Sequence, residues 1–77
     1  MRENSETKRE RFIRLAVTRT NKIIDMIKLL GNCSNTSVYE YTKEDVDKIF
    51  SAIESELKEA KKNFAKAEDK KNTKFTL

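Results

Sequence analysis

Lys8, Arg9, Arg11 and Arg14 set four cations within seven residues. A second group, Lys58, Lys61 and Lys62, continues through Lys66, Lys70 and Lys71. Side chains of this kind donate charge-assisted hydrogen bonds to phosphate or carboxylate oxygens. They are therefore the candidate residues for contact with nucleic acid or an acidic partner. No catalytic constellation accompanies them. The chain has no histidine, no glycine-rich phosphate loop and no nucleophile beside a base. Glu54 and Glu56 are two residues apart and point away from each other on a helix. Cys33 is the one cysteine, so it forms no intrachain disulfide and no zinc site by itself. Without a histidine it reads as an ordinary thiol. No calcium-loop spacing of acidic residues is present. The expectation is a protein that is not an enzyme, with no cofactor, no metal and no small-molecule substrate.

Charge is distributed unevenly. Residues 1–14 hold five basic and three acidic groups, and residues 58–77 hold seven and three. Residues 15–57 hold five basic and seven acidic groups. If two helices fold back on each other, the termini make a basic end and the connection an acidic one. The ordinary explanation is a solvated surface, with the lysines late in the second helix complementing its dipole. The sharper one is a phosphate-facing or acidic-partner surface.

The elements that would position these groups are helical. The chain has 77 residues, no proline and one glycine, and 39% of it is charged. That composition favours long helices. The first helix is expected from about Glu6 to Leu30, capped by Ser5 or Thr7 and ended by Gly31 in a left-handed cap. The second is expected from about residue 43 to 68. Thr42 is its N-cap, with Asp45 as a short capping-box partner and Tyr41 and Val46 as a hydrophobic staple. A connection over 31–41 and a frayed tail over 69–77 complete a single all-α domain. Val38, Tyr39 and Tyr41 are expected to fold over the open end of the core. Polar residues 1–11 hold no apolar signal core, no apolar run reaches membrane-spanning length, and a cytoplasmic location is the expectation, with which a lone reduced cysteine agrees.

Val46, Phe50, Ile53, Leu57, Ala60, Phe64 and Ala67 follow a four-three spacing, the seam of a helical bundle. In its second half the first helix is apolar over more than half its circumference, too much for one partner helix to bury. A helix–loop–helix hairpin that dimerises into a four-helix bundle is the expected architecture. Arg19 and Thr20 break the apolar arc. Arg19 is expected to pair with Glu54 or Asp47, or else to contact a partner. Tyr39, if exposed, is a second candidate contact.

The runs Arg11-Phe12-Ile13-Arg14-Leu15-Ala16, Arg19-Thr20-Asn21-Lys22-Ile23 and Leu29-Leu30-Gly31-Asn32-Cys33-Ser34-Asn35, with Tyr39-Glu40-Tyr41-Thr42, carry a resemblance across most of the chain. They resemble small, uncharacterised helical proteins of Gram-positive bacterial mobile elements: plasmids, conjugative elements and prophage-like islands. The resemblance implies a bacterial cytoplasmic setting and transfers no site residue. The reading is a dimeric adaptor or regulatory protein that binds nucleic acid, or a nucleic-acid-binding protein complex, through its basic end. The alternative is an interaction module or inhibitor that docks a host protein through its helical face or connecting loop. No helix-turn-helix is evident, so any DNA contact should be dominated by the backbone.

Overall fold

The computed structural model describes residues 5–72, with side chains described through Asp69. Among them are two α-helices and no strand: α1 over Lys8–Asn32 and α2 over Lys43–Asn72. The protein is all-α. The chain divides into two units, the first ending at Glu40 and the second beginning at Tyr41. No helix is long and apolar enough to cross a membrane among the described residues.

Thr7 caps α1 from an extended backbone conformation. Its hydroxyl accepts from the Glu10 N–H at 3.0 Å, and its own N–H donates to Glu10 Oε1 at 3.0 Å. This reciprocal box satisfies donors that a helix start leaves open. It also excludes Ser5 as the cap and leaves Glu6 outside the helix, which starts two residues later than expected.

The other end of α1 departs from expectation. Gly31 does not stop the helix: it and Asn32 are helical, and no described residue has a positive φ. The last carbonyls are met instead by tight three-residue bonds. Cys33 N–H donates to Leu30 at 3.0 Å and Ser34 N–H to Gly31 at 3.1 Å. Bonds of this kind close a helix without a left-handed residue. A Cβ added at Gly31 would meet nothing within 4 Å. Gly31→Ala should therefore stabilise α1 by about 0.5–1 kcal/mol, seen as a higher helix melting temperature by circular dichroism. A left-handed glycine would give the opposite sign.

The connection opens with an Asx turn. Asn35 Oδ1 accepts from the Ser37 N–H at 3.0 Å, and its carbonyl accepts from Val38 and Tyr39 at 3.1 and 2.9 Å. Residues 36–38 are turn. Val38, Tyr39 and Tyr41, expected to cover a core, are exposed.

In α2 the short aspartate completes the box. Thr42 N–H donates to Asp45 Oδ2 at 2.9 Å, and the Asp45 N–H donates to Thr42 Oγ1 at 3.0 Å. The helix runs to Asn72, four residues past the expected end. No glycine or proline interrupts the sequence after Phe64, so nothing local stops propagation. Residues 69–72, expected in a frayed tail, belong to the helix, and residues 73–77 lie outside the described residues. Along α2, Val46 and Ile53 are partly covered, and the other residues with described side chains are exposed. None of the described residues of the chain is fully buried.

Candidate nucleic-acid interface

The four early cations of α1 do not act as one group. Arg14 donates Nε to Glu6 Oε2 at 2.7 Å and Nη2 to Glu6 Oε1 at 2.9 Å. Arg11 Nε stands 3.8 Å from the same carboxylate. Glu6 can do this because it lies outside the helix, where its side chain reaches back along the first two turns. The fork-to-carboxylate geometry is the strong form of the pair, although both arginines remain more than half exposed. Glu6 also places negative charge at the positive end of the α1 dipole.

Arg9 points elsewhere. Its guanidinium lies over the Phe12 ring, 5.9 Å from the centroid, at the outer limit of a cation–π contact. At 3.6 residues per turn Arg9 is about 140° around the helix from Arg14. Lys8, at the first helical position, is exposed. The sequence cluster is therefore a split one: Arg11 and Arg14 shielded by Glu6, Arg9 leaning over the apolar side.

The Glu6 carboxyl is held below its ordinary value of 4.5. The hydrogen bonding from Arg14 is the main cause; desolvation opposes it, and the charges of Arg14 and then Arg11 add to the lowering. Arg14 is correspondingly raised, chiefly by the hydrogen bond to Glu6. A carboxyl held low in the folded state favours folding above its ordinary value. That contribution is lost as the pH falls through the lowered value. The Glu6 carboxyl carbon should titrate by NMR with a midpoint below 4.5, and Arg14→Ala should move the midpoint upward. A midpoint indifferent to Arg14 would show that the pair does not form in solution.

On α2, Lys58, Lys62 and Lys66 recur at every fourth residue and form one ridge, rising about 6 Å per step. Lys61 lies nearer the apolar seam. Lys62 Nζ meets Glu59 Oε2 at 3.4 Å, both well exposed. An exposed pair of this kind contributes little and yields readily to a competing anion. Like charges four residues apart repel along a helix by about 0.2–0.5 kcal/mol per pair. The ridge therefore carries a small self-repulsion that a polyanion would relieve.

Arg19 sits inside the apolar arc of α1, on the side of Phe12, Ile23 and Leu30. It has no ion pair on its own helix among the described residues. Asp47, one of its expected partners, accepts from Lys43 on α2 at 3.3 Å. Tyr39 is half exposed. Cys33 is exposed, its thiol directed at the Leu29 carbonyl at 3.9 Å. No group of three Cys, Asp or Glu side chains gathers in a metal-binding arrangement among the described residues. The Glu6 clamp escapes sequence reasoning because its partners lie five and eight residues away. The Thr7–Glu10 box, in contrast, has a readable signature, a threonine followed three residues later by glutamate.

The chain matches no protein-family model, no curated protein and no solved structure.

Proposed function

We propose that this protein is a small, non-catalytic adaptor or regulator that works as a dimer and binds a polyanion, foremost nucleic acid or a nucleic-acid-associated complex. The observation that carries the reading is the α2 ridge of Lys58, Lys62 and Lys66, exposed and mutually repelling. Lys61 flanks it. Lys8 and Arg9 are free of the Glu6 clamp, whereas Arg11 and Arg14 reach phosphate only by displacing Glu6. Contact of this kind is made to the phosphate backbone and carries no sequence preference of its own. Dimerisation answers the width of the α1 apolar arc and doubles the number of lysine ridges. A bacterial cytoplasm and a mobile-element setting fit a protein of this size and charge.

The test is fluorescence anisotropy with labelled duplex and single-stranded DNA at about 50 and about 200 mM salt. Binding that weakens steeply between the two supports the proposal. Absence of binding at the lower salt removes its nucleic-acid form. The exposed Val38, Tyr39 and Tyr41 favour a second reading, in which the connection docks a host protein without nucleic acid.

A further inference from the structure

Glu6 and Glu10 both lie near the start of α1, and the structure gives them different work. The Glu10 carboxylate accepts from the Thr7 N–H and belongs to the cap. The Glu6 carboxylate takes no part in the cap. It sits one residue before Thr7, in backbone that is not helical, and accepts from both Nε and Nη2 of Arg14. Arg11, one turn before Arg14 on the same side of the helix, stands 3.8 Å from it. The Glu6 side chain is 30% exposed, against 62% for Arg11 and 57% for Arg14. The carboxylate is thus the covered member of the group, and the guanidiniums lie outside it.

An arginine fork takes carboxylate and phosphate through the same N–H edge. On Arg14 that edge is already occupied by Glu6. We infer that Glu6 is an autoinhibitory carboxylate, which competes with nucleic-acid phosphate for Arg14 and Arg11 and keeps them out of the interface until phosphate displaces it. This rests on the nucleic-acid reading above and adds the regulation of that site.

The clamp can open without disturbing the helix. The Thr7–Glu10 box and the bond from the Arg11 N–H to the Thr7 carbonyl use no atom of Glu6. The first turn therefore stays closed when Glu6 swings away. Phosphate arriving in its place restores an anion at the positive end of the α1 dipole. The brake is graded, because an exposed ion pair of this kind lowers the availability of its arginine by roughly two- to fivefold. Lys8 and Arg9 stand outside it and are available at once.

The test measures duplex DNA binding by anisotropy at about 50 mM salt. The full chain carries Glu6→Gln, Arg14→Ala or both, and Asp25→Asn serves as the control. Glu6→Gln and Asp25→Asn change the net charge equally, and only the first opens the clamp. Glu6→Gln should tighten binding roughly two- to fivefold. Arg14→Ala should weaken binding by less than about twofold in the parent, and by about threefold or more in the Glu6→Gln background. In the Asp25→Asn background its effect should match the parent. Equal tightening by Glu6→Gln and Asp25→Asn, with the same Arg14→Ala effect in every background, would mean bulk charge alone and overturn the inference. Weaker binding by Glu6→Gln would overturn it as well. Either result leaves the nucleic-acid reading standing. Absence of binding by the parent and Glu6→Gln alike would overturn that reading, and the inference with it. Circular dichroism on the same samples checks the fold, which should hold because no substitution touches the Thr7–Glu10 box.

Discussion

Replacing Lys58, Lys62 and Lys66 together with alanine should flatten the salt dependence of DNA binding by about 3 units of log-log slope, one for each phosphate contact removed. Affinity at low salt should fall by roughly tenfold or more with it. The helix itself should stay close to the parent in stability: two like-charge pairs at four-residue spacing disappear, each costing about 0.2–0.5 kcal/mol, and the exposed Lys62–Glu59 pair disappears with them. Helicity that holds while binding falls separates loss of binding from loss of fold. Anisotropy titrations at several salt concentrations, with circular dichroism on the same samples, check both. An unchanged slope would remove the ridge from the interface. The companion substitution Glu6→Ala should act the other way. It releases Arg14 and Arg11 from their carboxylate and should strengthen binding at low salt. It also takes a stabilising anion from the start of α1.

The second large effect is expected at Ile23, in the middle of the apolar arc of α1. A 25-residue helix gains little from propensity alone in water, and its stability depends on burying an apolar face. Ile23→Asp puts a charge at the centre of that face. Ile23 is exposed in the single chain, so the cost arises where a partner covers it in the proposed dimer: about 2–5 kcal/mol, the range for losing a buried aliphatic side chain, with the charge adding to it. Helical signal should fall, and its dependence on protein concentration should weaken. Thr18→Ala, on the polar side of the same helix, should stay within about 0.5 kcal/mol of the parent. Thermal melts at several concentrations separate the two. If Ile23→Asp melts like the parent, the apolar face is not what stabilises α1.

Local chemistry was the legible part of this fold. Thr42 and Asp45 mark the start of α2 because a hydroxyl and a carboxylate three residues apart answer each other's backbone N–H. The same logic stands at Thr7 and Glu10. There Ser5 offers an equal hydroxyl, and only the position of the glutamate decides between them. Gly31 misleads because glycine is read for its access to left-handed backbone. In this chain the turn is delayed to Asn35, whose side chain starts it, and the helix end is closed by three-residue bonds. The basic cluster of α1 is compact in sequence but divided around the helix, which the periodicity of the backbone predicts. The clamp by Glu6 is different in kind. Its partners are five and eight residues away, a separation at which an extended residue before the cap, and not a helical neighbour, makes the contact. The α2 lysine ridge was visible as a run of charges, and its alignment follows once α2 is one uninterrupted helix.

The paired caps have a consequence for how the chain acquires its structure. Each helix start is closed by groups three residues apart, so nucleation requires no distant segment to be brought near. Helices of this length equilibrate within about a microsecond. Docking of whole chains is slower and depends on their concentration. For the proposed dimer, the rate-limiting event in reaching the working form would then be an encounter between molecules. The cellular abundance of the protein would set how quickly, and how completely, it becomes active.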